Sequence, residues 1–249
     1  MNNYPNNPIT SGAIDATIVS EIQALLNERG SGPIVVDGQF GKETLHAVKV
    51  YQSQHCDAHG HPLAIDGIVG QETWYSLFDL PLPVPHSDSR LLNEVLRIAI
   101  KEIGVSEDPP GSNKGKRVEE YLRSVHLGPG FPWCAAFIYW LFHWASINLE
   151  VKNPVWDTPG CMQHWKKTTG LRIFLKEALN DPTLLEPGVI FIISRGDGRG
   201  HTGLITGIHD GYIETIEGNT NDGHSAEGVK VCALRRKISS INLGFIKYS

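Results

Sequence analysis

A motif that occurs twice limits the first part of this chain more than any other feature. Asp37-Gly38-Gln39-Phe40-Gly41-Lys42-Glu43-Thr44 is matched, 29 residues later, by Asp66-Gly67-Ile68-Val69-Gly70-Gln71-Glu72-Thr73. In each copy Asp-Gly predicts a tight turn, and a second Gly frees the backbone just before a helix begins. The first copy leads into Leu45, Val48 and Tyr51, the second into Trp74, Leu77 and Phe78. A further helix ahead of them is read from Ile18, Ile22, Leu25 and Leu26, with Gly30 as its end. Two copies are too few for a solenoid. The expectation is a small three-helix domain over residues 1–80 with internal pseudo-symmetry.

The doubled DGxxGxxT pattern resembles the peptidoglycan-binding domain found on many cell-wall hydrolases, over about residues 14–80. The resemblance implies wall binding without catalysis. Asp37 and Asp66 themselves read as turn caps. Between the copies, the stretch from His55 through Cys56 and Asp57 to His59 and His61 holds residue types that suit zinc. Its spacing matches no zinc motif, and it also reads as a polar connection.

Leu80-Pro81-Leu82-Pro83-Val84-Pro85, followed by polar residues to Ser89, reads as a semi-rigid linker over 81–89. Leu91, Val95, Ile98 and Ala99 then mark one face of a helix that ends at Gly104. A loop dense in turn formers runs from Glu107 to Arg117, and a short helix with Val118, Tyr121 and Leu122 follows. Glu107 and Asn113 are candidates to line a substrate groove, or they serve only local turn hydrogen bonds.

Phe131-Pro132-Trp133-Cys134-Ala135-Ala136-Phe137 opens an apolar run without a breaker to about Ser146, the pattern of a buried helix. Cys134 falls in its first turn, where unpaired backbone N–H groups favour a thiolate. Taken alone, the stretch suits a packing cysteine better. Cys56, Cys161 and Cys232 form no CxxC pair with it or with one another, and Cys161 reads as structural.

From Leu185 the period changes. Strands are predicted at Val189–Ile193, at His201–Ile208 after a glycine-rich loop, and at Tyr212–Glu217 after the hairpin signal Asp210-Gly211. Two more are expected around 229–234 and 242–248. Helices followed by an antiparallel sheet make an α+β domain over 90–249. The start of one antiparallel strand lies beside the end of its partner, so His201 and Glu217 can be neighbours. A cysteine nucleophile needs a base, and the base needs a third group to fix its tautomer. Cys134, His201 and Glu217 supply these roles, and Asn219 shares the face of Glu217 by the period of two. His209 and His224 read as solvated turn residues.

Pro-Trp-Cys-Ala-Ala-Phe, Gly-His-Thr-Gly-Leu-Ile and Glu-Gly-Asn-Thr, in that order, resemble the CHAP family of cysteine- and histidine-dependent amidohydrolases/peptidases, over about 90–249. The resemblance implies a papain-like fold, Cys134 as nucleophile, His201 as base and then acid, Glu217 or Asn219 as the group that orients His201, and cleavage of an amide in peptidoglycan peptides. Trp133 joins Glu107 and Asn113 as a candidate substrate contact. No metal and no organic cofactor is called for.

The bond is expected to be N-acetylmuramoyl–L-alanine, with a stem-peptide or cross-bridge bond as the alternative. A metal-dependent amidase on His201, His209 and the 55–61 cluster, and a non-catalytic wall binder, are the rival readings. Net charge of −5 and pI near 6.1 argue against nucleic acid as a partner. No apolar run reaches membrane-span length. The first residues lack a signal-peptide pattern. The expectation is synthesis in the cytoplasm and action on the wall after export, injection or lysis. That suits a phage endolysin or an antibacterial effector; an effector would have a cognate immunity protein and secretion machinery as partners.

Overall fold

The computed structural model describes residues 4–5, 7–13, 15–57, 62–80, 85–209, 211–221 and 228–248. The chain divides into two compact units, Met1–Val84 and Pro85–Ser249. Residues 58–61 of the histidine-rich stretch, 81–84 of the expected linker, Asp210 and His224 lie outside the described residues.

The first unit holds α1 (Ala16–Glu28), α2 (Lys42–Gln54) and α3 (Gln71–Leu77) among its described residues. Asp15 caps α1, its carboxylate accepting from the backbone N–H of Thr17 at 3.0 Å and Ile18 at 3.2 Å. Val19, Ile22, Leu26, Val48, Tyr51, Trp74 and Leu77 form the core.

The two motif copies fold identically, and each closes on a glutamine. Gln23 and Gln52 are also 29 residues apart (52 − 23), and both are buried. Gln23 Nε2 donates to Asp37 Oδ1 at 2.9 Å, to the Gln39 carbonyl at 3.1 Å and to Thr44 Oγ1 at 3.0 Å. Gln52 Nε2 repeats this on Asp66 Oδ1 at 2.9 Å, the Ile68 carbonyl at 2.9 Å and Thr73 Oγ1 at 3.2 Å. The amide oxygens accept from Gly38 N and Gly67 N, both at 2.9 Å.

Asp37 and Asp66 also accept from the backbone two residues on, as turn caps do. Gly38 and Gly67 sit at φ +72° and +81°, and a Cβ at Gly38 would meet the Ala16 carbonyl at 2.8 Å. His55 is accounted for locally: its ring stacks on Tyr51 and its Nδ1 lies 2.9 Å from the Tyr51 carbonyl at the end of α2.

In the second unit Ser87, Asn93 and Ser89 fasten the chain ahead of α4 (Arg90–Glu102). There follow α5 (Lys116–Ser124), α6 (Cys134–Leu149), α7 (Cys161–Lys167), β1 (Leu171–Phe174), α8 (Leu175–Asn180), β2 (Ile190–Gly196), β3 (Arg199–His209), β4 (Tyr212–Thr220), β5 (Lys230–Lys237) and β6 (Gly244–Lys247). The strands make one antiparallel sheet in the order β1-β6-β2-β3-β4-β5.

Side chains alternate across the sheet. Ile190, Ile192, Leu204, Ile216 and Ile246 pack on one face with α4, α5 and α6. Val189, Phe191, Ile205, Ile213 and Phe245 pack on the other face with Ile173, Ala178, Leu185, Ile238 and Ile241. The α+β layering expected from the sequence is therefore present. Because α6 is apolar nearly all round, it can only sit inside, between the sheet and α4–α5.

One local expectation is corrected. Residues 195–200, expected as a glycine-rich loop, are not a loop between strands. They make a tight β2–β3 hairpin turning at Asp197 and Gly198, at φ +51° and +75°, as a two-residue turn that follows the strand twist requires. The 147–186 stretch carries α7, β1 and α8, which the sequence pattern did not signal. β1 buries one residue, Ile173, so it has no alternation to read.

Gln52→Leu keeps the shape but leaves the Gly67 N–H, the Ile68 carbonyl and Thr73 without their partner. We expect it to destabilise the first unit by about 2–4 kcal/mol. Calorimetry of the full chain should show one transition moving down in temperature while the other stays; unchanged transitions would refute the glutamine's role.

Candidate active site

Cys134 is the first residue of α6, so its sulfur lies at the positive end of a 16-residue helix. What starts the helix there is a hydrogen bond from β4. Trp133, the residue before, donates its backbone N–H to Asn219 Oδ1 at 3.1 Å. Asn219 Nδ2 in turn donates to the Gly228 carbonyl at 2.9 Å and to Asn113 Oδ1 at 3.2 Å. The Trp133 indole N–H donates to Glu107 Oε1 at 2.9 Å, and Glu107 Oε2 accepts from Asn113 N at 3.0 Å. Four residues from three segments, Glu107 and Asn113, Asn219, and Gly228, thus hold Trp133 and with it the loop that presents Cys134.

His201 is the third residue of β3 rather than its opening residue. Pairing of Leu204 with Ile216 and Ile205 with Thr215 carries Glu217, the sixth of the nine residues of β4, next to it. His201 Nε2 and Glu217 Oε2 are 2.7 Å apart, and both side chains are wholly buried. Gly203 lies between them in the register, and a Cβ there would meet Glu217 Cγ at 2.6 Å, so only glycine lets the carboxylate reach the ring. Glu217 has three further donors: Arg236 Nε at 2.5 Å, Arg236 Nη2 at 2.6 Å and Thr215 Oγ1 at 2.7 Å. Among the described residues the other ring nitrogen, His201 Nδ1, is buried without a hydrogen bond of ordinary geometry, and the Cys134 sulfur is the group that acts on the ring besides Glu217.

The electrostatics follow from these contacts. Burial raises the Glu217 pKa, but Arg236 and His201 outweigh it and hold the carboxyl at about 2. Burial pulls His201 down, yet the Cys134 sulfur and Glu217 push it up to about 9. The Cys134 thiol is held well below its ordinary value by the neighbouring Cys161 thiol, against burial, with help from His201 and the Ala135 N–H. Both shifts favour a negative Cys134 sulfur beside a positive His201 ring.

The sulfur opens onto a groove of about 920 Å³. Leu127, Phe131, Pro132 and Pro159 give it apolar walls, and Gln163, Arg195 and Arg199 give it polar ones.

Of the residues singled out from sequence, Cys134, His201 and Glu217 come together. Asn219 does not join His201: its hydrogen bonds run to Trp133, Asn113 and Gly228. The register shifts after Glu217, and Asn219 takes φ +56°, so the period of two does not carry through to it. Glu107 and Trp133, expected along the groove, are buried beneath it, and Asn113 is half-buried. The reason is that each satisfies another's buried polar group. His209 lies at the far end of β3, where Nε2 is 3.3 Å from Glu214.

The sequence reading missed Arg236 and Cys161. Arg236 sits in an ordinary basic run on β5, and only pairing of β4 with β5 aims it at Glu217. Cys161 Sγ lies 3.6 Å from Cys134 Sγ.

Residues 126–219 match the family model described as "CHAP domain", and residues 15–77 match the model described as "Putative peptidoglycan binding domain". No curated protein and no solved structure matches the chain.

The lowered pKa of Glu217 has a measurable sign. Its folded value of about 2 lies below the ordinary 4.5, so on acidification the unfolded chain takes up this proton first. The contribution to stability is whole above about pH 4.5 and is lost as the pH falls from there toward 2. Urea-unfolding midpoints should therefore decline less steeply over that window in Glu217→Gln than in the wild type. Parallel declines would contradict the assignment.

Proposed function

From a chain that joins an N-terminal peptidoglycan-binding domain to a CHAP domain, a family of cysteine-dependent amidohydrolases, we propose a wall hydrolase that cuts its amide by acyl transfer through Cys134, His201 and Glu217. The observation that carries this reading is the buried line of groups from the Cys134 sulfur through His201 to Glu217 and Arg236. Cys134 thiolate attacks the scissile carbonyl from the groove. The backbone N–H of Cys134, at the helix start, faces the oxygen that gains charge. His201, protonated, gives its proton to the leaving amine; then, neutral, it takes one from the water that opens the thioester. Glu217 fixes the ring by its Nε2 and favours the imidazolium, and Arg236 keeps Glu217 ionised. Asn219, Glu107, Asn113 and Trp133 act one step back, by holding the loop ahead of Cys134.

The bond assigned is N-acetylmuramoyl–L-alanine. Mass spectrometry of a sacculus digest should show bare glycan and intact stem peptides; split stems or cross-bridges would replace that bond with a peptide one. The domain division is proposed to serve avidity, the first unit raising local concentration on an insoluble polymer. A piece comprising residues 85–249 should then retain activity on soluble muropeptides and lose most of it on intact sacculi. A first unit that fails to bind sacculi would remove this role. Delivery as an endolysin or an injected effector is tested by expression: an effector or endolysin should be toxic when directed to the periplasm and harmless in the cytoplasm.

Cys134→Ala should abolish hydrolysis while sacculus binding persists. His201→Ala should cost about as much, since nucleophile and base act as a unit. Glu217→Gln should cost roughly 10²-fold, because the amide still accepts from the ring but loses its charge. kcat/KM should fall as the pH rises through about 9, where His201 gives up the proton it must donate. A Cys134→Ala protein that still digests sacculi would end this mechanism.

A further inference from the structure

Two buried thiols, Cys161 and Cys232, have no part in the proposed mechanism, and Cys161 is the one in contact with Cys134. Cys161 opens α7 and is 5% exposed, and it lines the groove beside Cys134. Its Sγ is 3.6 Å from Cys134 Sγ, within reach of an S–H···S hydrogen bond. The backbone makes room for it there. A Cβ at Gly200, the residue before His201, would meet Cys161 Cβ at 3.1 Å and the Ile193 carbonyl at 2.7 Å. Glycine at that point lets Cys161 pack between the start of β3 and the nucleophile. A residue needed only to fill this space could be any small apolar one. A thiol adds a proton donor at a sulfur that, in the proposed mechanism, carries negative charge in a buried place, where each missing donor is costly.

We propose that Cys161 is a thiolate-holding residue of the active site, its S–H donating to the Cys134 sulfur in the resting enzyme and letting go as that sulfur becomes a thioester. Cys161 keeps its proton throughout; its own pKa is raised, first by that hydrogen bond and then by burial. The donor stabilises the resting thiolate, so it acts on how much of Cys134 is ionised at a given pH. It rests on the reading of Cys134 as nucleophile, and the test separates the two.

The test follows Cys134 itself, by the rate of iodoacetamide labelling against pH, read by peptide mass spectrometry on the full chain. Cys161→Ala should slow labelling at pH near 6 by roughly an order of magnitude and hardly change it at alkaline pH, where the thiolate is complete anyway. Cys161→Ser, which keeps an O–H donor, should restore most of the rate at the lower pH. The acid limb of kcat/KM should move upward in the alanine variant and return in the serine variant. Wild-type protein gives an independent check. Diamide, which takes up the two thiol hydrogens, should join Cys134 to Cys161, since sulfurs in contact need only close to a bond of about 2.05 Å.

A Cys161→Ala profile that overlays the wild type overturns the proposal. So does a serine variant that shifts as far as alanine, or a diamide product lacking the 134–161 link. If instead Cys134→Ala still digests sacculi, it is the nucleophile reading that fails, whatever the labelling shows.

Discussion

The second unit depends on one buried carboxylate. Glu217 is wholly enclosed, and an ionised carboxylate in such a place is tolerable only when its lone pairs are met. Here His201, both arms of Arg236 and the Thr215 hydroxyl meet them. These donors come from β3, β5 and β4 itself, so the carboxylate welds three strands at the level of the site. Each partner needs it in return. His201 owes its raised pKa in part to that charge, and Arg236 has its guanidinium fixed in bidentate geometry. Removing one member would leave an uncompensated charge inside.

A second set of contacts sets distance rather than charge. Asn219 lies two residues beyond Glu217, and its side chain reaches the backbone N–H just ahead of the nucleophile helix. The left-handed backbone at Asn219, a conformation that asparagine tolerates, turns that side chain away from the His201 side. The last part of β4 therefore supplies both the group that holds His201 and the group that holds the loop ahead of Cys134. Through Asn113 and Glu107 the same hydrogen bonds enclose the Trp133 indole, a large buried wedge against Tyr121 and Phe137.

What the sequence made legible is what local pattern can carry. The change from helical to strand periodicity near Leu185 gave the α+β layering, and the apolar run after Pro132 gave α6. Cys134 and His201 stood out because each sits at a glycine- or proline-marked junction, and Glu217 because a hairpin must return its end to the start of the neighbour. Arg236 and Cys161 were not legible. One is a basic residue in a basic run and the other a cysteine in a stretch without period, and only strand pairing and helix placement give either its partner. Gln23 and Gln52 show the limit most clearly. The 29-residue spacing was visible at the aspartates, but glutamine on a helix face carries no turn or periodicity signal, so the repeat was read too short. Asn219 was read on the wrong premise, since a period of two fails across a bulge.

In the proposed mechanism the four groups alternate in sign: Cys134 negative, His201 positive, Glu217 negative, Arg236 positive. Their formal sum is zero, which is what allows four charges to share an interior of low polarity. In the acyl transfer proposed above, the alternation also governs how the reaction proceeds. Once the sulfur is acylated, its charge is gone, and passing the proton from His201 to the leaving amine restores the balance with Glu217 and Arg236 unchanged. Deacylation runs the same exchange backwards. Charge moves only between the sulfur, the ring and the substrate in the groove, so the buried pair behind them never has to change its protonation, and a carboxyl held near 2 is suited to that constancy.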